Sequence, residues 1–432
     1  MEQQNGVKKG GLKNVIRIIC MILACITCFV GGCFSRYLFE PSYVNTTSDL
    51  VRIIEQFGMV LDPETGELRE LTEEDYADAL VNGLLDQYSE YFTKEEFFIA
   101  TQNMYGNHTG LGIIIYADVA CIYKVYGNSP AEKAGLMAGD YITGISINGG
   151  EMVKTEDINQ LDSIMSTAPE YANVSLTVTR EGQFTDKVFN MQKDDYKTAY
   201  VNYYDSERRM HFQTNDDDEF INVVNEDEKM TALDKDTAYI KLDQFEGDSA
   251  MQFDSALKYM RDNGRTKLIL DLRSNGGGYM HILTQIASCL IDNNGENNSV
   301  VAISESKNSK ENYTTITNNF YSNITKMAVI ANDGTASASE CLIGALLSYN
   351  EILTPDRVVL EKNRNGEGTT YGKGIMQTTY SLIGGGAFKL TTARMLWPDN
   401  KTCIHNVGIK TSAQNSVDAG ESALLRAIEV LK

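Results

Sequence analysis

The chain of 432 residues has the composition of a globular protein, and at about 150 residues per domain its length predicts two or three domains. Hydrophobic residues make up 42%, charged residues 22%, and there are only 6 prolines, which excludes collagen-like, low-complexity and mostly disordered classes. The formal net charge is −21. We therefore expect no nucleic-acid partner, because a surface that binds phosphates has to be basic.

Residues 15–36 are predicted to cross a membrane. Residues 18–35 carry no charge and nearly reach the length of one helical bilayer crossing, and Lys8, Lys9, Lys13 and Arg17 before them favour a cytoplasmic N-terminus. We expect a single-pass protein of the cell membrane with a cytoplasmic stub at 1–14 and an extracytoplasmic remainder, at a bacterial cell surface. Two alternatives stay open: cleavage as a secretory signal, and a lipid anchor on Cys33, since residues 30–33 resemble a lipoprotein signal.

The cysteines and histidines indicate neither a disulfide framework nor a metal site. Half of the eight cysteines lie in the apolar run, and the others are scattered along the chain, so buried thiols are expected. The four histidines lack metal-ligand spacing. We expect no metal and no other cofactor.

Residues 40–98 are predicted to form a small helical region. Apolar residues between Leu50 and Phe57 recur with helical spacing, and Thr72 with Asp75 resembles the capping box of a second helix. This region is expected to pack on a later domain or on a second copy of the chain, so a homodimer is left open.

Residues 101–182 are predicted to form a separate β-rich domain. Residues 110–113 read Gly-Leu-Gly-Ile, and residues 129–142 read SPAEKAGLMAGDYI, with a capping Ser, a Pro at the first helical position and a Gly that ends the helix. These segments resemble a PDZ domain of the kind found in bacterial proteases. The resemblance implies that a loop presents backbone N–H groups to the terminal carboxylate of a peptide, which adds a strand to the sheet. The residues that match this loop are Gly110, Leu111, Gly112 and Ile113.

Residues 183–235 are polar and acidic, and we expect a solvated linker or surface insertion. Calcium binding is disfavoured, because the acidic residues do not follow the alternate spacing of a calcium loop.

Residues 236–432 are predicted to form an α/β domain. Apolar strands at 238–242, 267–272 and 327–331 alternate with helices, and small-residue loops at 273–278 and 332–340 follow two of the strands. Such joints bring loops and helix N-termini to one edge of a sheet. A Gly-x-Ser-x-Gly elbow, a His-Glu-x-x-His motif and a phosphate-binding loop are all missing from the sequence.

Four segments in this domain occur in an order that resembles one family. They read DLRSNGGG at 271–278, TASASE at 335–340, YGKGIMQ at 371–377 and KLTTAR at 389–394, and LDQYSEYF at 85–92 and the PDZ segment match the same family. The family is that of the carboxyl-terminal processing peptidases, also called tail-specific proteases. The resemblance implies a multi-domain fold with a PDZ domain before an α/β serine protease domain.

The resemblance also implies the roles of single residues. Ser337 would be the nucleophile, Lys373 the general base, and Gln377 the residue that orients the amine, from the same helical face if 373–377 is a helix. Lys373 has to lose solvent to become a neutral amine, because burial disfavours its charged form. Backbone N–H groups near the nucleophile would form the oxyanion hole. The candidates for this hole are Gly276, Gly277 and Ala338.

The predicted function is that of a membrane-anchored serine endopeptidase that recognises the C-terminal tails of extracytoplasmic proteins. Three alternatives stay open: Ser339 as the nucleophile, small residues that serve helix packing alone, and a PDZ scaffold or chaperone without turnover. Residues 347–370 are about ten residues longer than the resemblance leads us to expect, and they form either a surface loop or a lid over the site.

Overall fold

The structure is a computed structural model that describes residues 42–57, 69–116, 119–155, 158–180, 186–214, 220–225, 229–292, 298–316, 320–383 and 385–432. The chain divides into two compact units, Met1–Gly83 and Leu84–Lys432. Within the described ranges, no helix combines the length and the apolar character needed to cross a bilayer. The predicted anchor at 15–36, the stub at 1–14 and Cys33 lie outside the described residues.

The first unit contains the two predicted helices, α1 (Ser42–Phe57) and α2 (Glu73–Leu84). The capping box before α2 is confirmed, since the backbone N–H of Asp75 donates to Thr72 Oγ1 at 3.3 Å and the backbone N–H of Thr72 donates to Asp75 Oδ2 at 2.8 Å. These bonds satisfy amides that have no partner inside the helix.

The second unit begins with a short strand and a PDZ-like region. Its elements are β1 (Glu90–Phe92), α3 (Lys94–Met104), β2 (Asn107–Gly110), β3 (Ile113–Ile115), β4 (Ile122–Val125), α4 (Pro130–Ala134), β5 (Tyr141–Ile147), β6 (Val153–Lys154), α5 (Ile158–Thr167), β7 (Asn173–Thr179), β8 (Lys187–Gln192) and β9 (Asp194–Lys197).

The remaining elements alternate strands with helices. They are β10 (Val201–Tyr204), β11 (Arg209–Thr214), β12 (Phe220–Asn225), β13 (Thr237–Leu242), α6 (Ser249–Asp262), β14 (Lys267–Asp271), α7 (Met280–Leu290), β15 (Val300–Ser306), β16 (Lys310–Thr314), β17 (Lys326–Ala331), α8 (Ala338–Tyr349), a 3₁₀ turn (Pro355–Arg357), β18 (Val358–Glu361), β19 (Ile375–Ser381), β20 (Ala387–Leu396), β21 (Ser416–Val417) and α9 (Glu421–Val430).

The main sheet has eight strands in the order β12-β11-β10-β13-β14-β17-β18-β21. Five of them are parallel to one another, namely β13, β14, β17, β18 and β21. Successive residues of β13 face opposite sides, so Ile240 packs into the large core with α6, α7 and α8, whereas Tyr239 packs with α9. The α/β prediction for this region is confirmed. The helices cover both faces of the parallel strands, which explains why those strands read as continuous apolar runs.

The expectation of a solvated linker or insertion over 183–235 is wrong. The segment supplies β8 to the PDZ-like sheet and β10 to β12 to the main sheet, and Tyr200, Tyr203 and Phe212 are fully buried. Aromatic residues spaced along polar strands let the segment join two cores. Of its two acidic runs, 215–219 lies outside the described residues, as does 226–228 of the second.

A second sheet in the order β1-β20-β15-β16, with β19 also on β20, lies beside the site described below. Its strand β1 comes from residues that we expected in the N-terminal helical region, 40–98. The backbone of β1 pairs with β20, with Tyr91 opposite Phe388, so this part of the chain belongs to the second unit.

The PDZ-like region has the elements that the sequence predicts. Ser129 caps α4 by accepting from the Glu132 N–H at 3.1 Å, and Gly135 ends this helix with φ +90°. The strand β3 pairs with β4, and in the described part of the chain its other edge has no partner strand.

Residues 347–370 form the 3₁₀ turn, β18 and a tight turn at 363–367. The Arg364 guanidinium lies 5.4 Å from the centroid of the Tyr116 ring, on the PDZ-like region. None of the described residues 347–370 lines the cavity around Ser337. In this structure the segment is part buried strand and part exposed turn at 364–367, and it does not cover the site as a lid.

Candidate active site

Three loops at the edge of the main sheet and one strand of the second sheet line an open cavity of about 1090 Å³. The loop after β14 contributes Gly276, the loop after β17 contributes Ser337, the segment that leads into β19 contributes Lys373, and β19 itself contributes Gln377. The structure therefore brings together four predicted site residues from distant parts of the sequence.

Ser337 stands at the junction between a loop and the N-terminus of α8. Its backbone has φ +56° and ψ −116°, a conformation that L-residues adopt rarely and at a cost of about 1–3 kcal/mol. Ser339, the alternative nucleophile, is fully buried, and its hydroxyl donates to the Asn275 carbonyl oxygen at 3.0 Å. Of these two serines, Ser337 is the one that lines the cavity.

Glu340 connects the segments that carry the serine and the lysine. Its fully buried carboxylate accepts the backbone N–H groups of Ser337 and Lys373, each at 2.9 Å, and that of Gly372 at 2.8 Å, together with the Thr370 hydroxyl. Burial nevertheless raises the pKa of Glu340 above its usual range.

Lys373 is half-buried on the cavity wall. Desolvation lowers the pKa of its amine, and the positive charge of Lys389 lowers it further, whereas Asp86 raises it. Loss of water is the change that a lysine needs in order to be a neutral base near neutral pH. In the described residues no hydrogen bond joins Ser337 Oγ to Lys373 Nζ.

Gln377 lies on a strand and not on a helix, so the helical arrangement expected for 373–377 is wrong. Residues 375–381 form β19, in keeping with their β-branched and aromatic residues. The Gln377 amide donates to Thr391 Oγ1 of β20 at 3.0 Å.

The glycine loop packs directly on the backbone of the serine loop. A Cβ atom on Gly277 would lie 2.8 Å from the Ala338 nitrogen, and the Gly277 N–H already donates to Asn275 Oδ1 at 2.9 Å. Among the described hydrogen bonds, the N–H groups of Gly276, Gly278 and Ala338 have no acceptor. These three N–H groups are the candidates for an oxyanion hole, Gly276 and Gly278 line the cavity, and Gly278 is an addition to the candidates from sequence.

Buried charges fix the base of the glycine loop. Asp271 is fully buried and pairs with Arg273 at 2.6 Å, and Arg273 also reaches Glu361 of β18 at 2.5 Å. Burial alone would raise the pKa of Asp271, but Arg273, together with Lys241 and the Tyr239 hydroxyl, holds it below its usual value. The loop that carries Gly276 is therefore tied to two strands of the main sheet.

The predicted carboxylate loop lies between β2 and β3. Gly112 has φ +78°, and a Cβ atom there would lie 2.2 Å from Ser129 Cβ, so only glycine fits. Leu111 is buried, Gly110 has φ +146°, and Ile113 begins β3. Within the described part, the N–H groups of Leu111 and Gly112 donate to no acceptor.

Two features of the site were missed from sequence. Glu340 stands three residues after Ser337, and this Ser-x-x-Glu spacing is itself a capping-box signal. Tyr88 lines the cavity from a segment before the PDZ-like region, and only the family resemblance of residues 85–92 points to it. Among the described residues, no cluster of three or more His, Cys, Asp or Glu side chains could hold a metal ion.

Comparison with known proteins gives matches over most of the chain. A Staphylococcus aureus (strain N315) protein named "Probable CtpA-like serine protease" is 27% identical over 335 residues, which cover 77% of this chain and 58% of that protein. A Staphylococcus saprophyticus protein of the same name is 25% identical over 367 residues, which cover 84% of this chain and 64% of that protein. The chain thus spans about three fifths of the length of the curated relatives it matches.

The solved structure named photosystem II D1 C-terminal processing protease aligns with a TM-score of 0.49 at 20% identity, over 83% of this chain and 86% of that one. The profile described as Peptidase family S41 matches residues 236–413, which hold the glycine loop, Ser337, Glu340 and Lys373. Residues 236–413 are thus similar to peptidase family S41, and most of the chain is similar to proteins named as CtpA-like serine proteases.

Proposed function

We propose that this protein is a serine endopeptidase in which Ser337 is the nucleophile and Lys373 the general base. One observation carries the proposal: the strained Ser337 and the partly desolvated Lys373 lie on one cavity, with Gly276 on its wall. Because the Glu340 carboxylate accepts the backbone N–H groups of both residues, the two are fixed relative to each other.

The reaction follows from these positions. The neutral Lys373 amine takes the proton of the Ser337 hydroxyl as Oγ attacks the substrate carbonyl carbon. The carbonyl oxygen becomes an anion, which the N–H groups of Ala338 and the glycine loop stabilise. When the C–N bond breaks, the Lys373 ammonium gives its proton to the leaving amine. A water molecule, deprotonated by Lys373, then hydrolyses the acyl-enzyme.

The PDZ-like region is proposed to bind the C-terminal tails of substrate proteins. The N–H groups of Leu111 and Gly112 would receive the terminal carboxylate, and the free edge of β3 would receive the last residues of the tail as an added strand. The uncharged run at 18–35 supports an anchor in the cell membrane, with the site and its protein substrates outside the cytoplasm.

The test uses the full-length chain in detergent and an unfolded protein with an apolar C-terminus as substrate. We expect cleavage by the wild type, and loss of cleavage in Ser337→Ala and in Lys373→Arg, since an arginine cannot become a neutral base. Lys362→Arg is the matched control, because Lys362 lies on the surface in an ion pair with Asp418. A serine-directed fluorophosphonate should label Ser337, as mass spectrometry of the labelled peptide would show.

The alternative is a PDZ scaffold that binds tails without cutting them. The missing hydrogen bond between Ser337 Oγ and Lys373 Nζ among the described residues is the one observation in its favour. Apo sites of active enzymes often have such loose contacts, which tighten when substrate binds. Tail binding without cleavage and without fluorophosphonate labelling would establish the scaffold and overturn the enzyme.

A further inference from the structure

Tyr88 holds a position next to the amine of Lys373. It comes from the segment before β1, which is separated from Lys373 by the whole PDZ-like region. Lys373 Nζ lies 5.0 Å from the centroid of the Tyr88 ring, within the range of a cation–π contact. Both side chains line the cavity that contains Ser337.

The Tyr88 ring is fixed at both ends. Its backbone N–H donates to Asp86 Oδ1 at 3.1 Å, and its hydroxyl donates to the Tyr371 hydroxyl at 3.3 Å. Tyr371 stands two residues before Lys373, so the ring is linked to the segment whose amine it faces.

The same segment also reaches Gln377. Ser89, which is buried, donates through Oγ to Asp86 Oδ1 at 3.0 Å and accepts the Thr391 backbone N–H at 3.3 Å. Thr391 Oγ1 in turn accepts the Gln377 amide at 3.0 Å. Residues 86–89 are therefore joined to the surroundings of the lysine through both β20 and the Tyr88 ring.

We propose that Tyr88 is a positioning residue for the Ser337/Lys373 reaction, with its ring as the surface that holds the Lys373 amine in place and shields it from water. This inference rests on the proposed function. A ring face attracts an ammonium group and thereby favours its charged form, while the volume of the ring excludes water and thereby favours the neutral form. The two effects have opposite signs, so different substitutions separate them.

Other charged and titratable groups near Lys373 also influence the titration of its amine. Asp86 and Tyr371 lie beside Tyr88, Lys389 projects from β20, and Glu340 binds the Lys373 backbone. Further titratable side chains line the same cavity, namely Glu90, Glu246, Tyr279, His281, Tyr313 and Cys341. Phe, Leu and Ala at position 88 all remove the hydroxyl that contacts Tyr371, so this change is the same in the three variants. A difference between them therefore reports on the ring.

The experiment compares Tyr88→Phe, Tyr88→Leu and Tyr88→Ala in the full-length protein by the pH dependence of kcat/KM. Phe keeps the ring, and we expect the wild-type pH midpoint. Leu keeps most of the volume without the ring face, and we expect the midpoint to fall by about 0.5–1 pH unit. Ala admits water, and we expect the midpoint to rise. Tyr380→Leu on the exposed end of β19 is the matched control and should not move the midpoint.

A second readout does not need catalysis. In the Ser337→Ala background, the pH dependence of Lys373 acylation by acetic anhydride, followed by mass spectrometry, gives the titration of the amine directly. The same opposite shifts for Leu and Ala are expected there, even if the protein proves not to be a peptidase. If Tyr88→Leu or Tyr88→Ala loses activity while its midpoint stays at the wild-type value in both the kcat/KM titration and the acylation titration, Tyr88 has only a structural role and the proposal is overturned. Tyr88→Leu decides the question by itself if Tyr88→Ala does not fold.

Discussion

Removal of the Glu340 carboxylate should separate the two halves of the site. In Glu340→Ala the backbone N–H groups of Ser337, Gly372 and Lys373 lose their acceptor. Each buried donor left without a partner costs about 1–3 kcal/mol, which for three donors gives roughly 3–9 kcal/mol in the free energy of unfolding. We expect the lower end of this range, because the lost carboxylate was itself costly to bury in its ionised form.

The contribution of the Glu340 carboxyl group to the free energy of unfolding depends on pH with a definite sign. The folded-state pKa of Glu340 is raised, so its contribution to stability is fully present below the pKa of the unfolded chain and is lost as the pH rises through the folded pKa. The neutral isostere Glu340→Gln avoids the burial of charge. Its amide can point to the Thr370 hydroxyl, which leaves only the Gly372 N–H without an acceptor. We therefore expect Glu340→Gln to unfold within about 2 kcal/mol of the wild type at neutral pH.

Urea denaturation followed by circular dichroism measures these differences, and peptide cleavage measures the activity. Glu429→Ala, which breaks an exposed ion pair with Arg426, is the control and should cost less than about 1 kcal/mol. We expect kcat/KM to fall at least about 10-fold in Glu340→Ala, because the segments of Ser337 and Lys373 are no longer fixed to each other. The fall should be smaller in Glu340→Gln, whose side-chain oxygen still accepts the N–H groups of both residues. A Glu340→Ala protein that unfolds within about 1 kcal/mol of the wild type and cleaves at its rate would refute this reasoning.

Three further predictions follow from the same geometry. Gly277→Ala should remove activity and lower the free energy of unfolding in urea by about 2 kcal/mol or more, because its Cβ would lie 2.8 Å from atoms of the Ser337 loop. The control Gly366→Ala, with φ +78° but open space around its Cβ, should cost only about 1 kcal/mol in the same measurement. Lys373→Met should lower kcat/KM about 100-fold or more without loss of thermal stability at neutral pH, since a lysine with a lowered pKa stabilises the fold only at high pH. In the wild type, activity should rise with pH through a midpoint below the usual lysine pKa. Gly112→Ala should abolish the binding of a tail peptide in fluorescence anisotropy while Ser337 is still labelled by a fluorophosphonate, and equal affinity in this variant would exclude the loop as the carboxylate site.

The parts of the fold that could be predicted from sequence are those with a strong local signal. The strands at 267–271 and 326–331 are continuous apolar runs, and the helix at 130–134 carries its own start and stop residues. By contrast, β10 and β11 are short strands in which buried residues such as Tyr203 and Phe212 stand next to polar ones, beside acidic runs. Their assignment to the main sheet depends on pairing with β13, which is a tertiary contact.

The candidate site shows the same division. The residue types at 337 and 373 could be read from the sequence through motifs, but the strand at 375–381 could not be distinguished from a helix by the spacing of Lys373 and Gln377 alone. Glu340 was hidden because the same Ser-x-x-Glu spacing caps ordinary helices, and only its contacts with the 370–373 segment show a second role.

The lowered pKa of Lys373 is a property of the assembled fold and not of its local sequence. Desolvation is the main cause of the lowered pKa, Lys389 of β20 lowers it further, and Asp86 opposes both. The Lys373 backbone is held by Glu340, and its amine is covered by the segment that contains Asp86 and Tyr88. This segment is attached to the site through the pairing of β1 with β20. This pairing is short, because β1 has only three residues, and the Tyr88 hydroxyl and Ser89 add one hydrogen bond each. Any condition that detaches β1 should therefore return the Lys373 amine toward its ordinary, charged state and stop general-base catalysis before the main sheet unfolds.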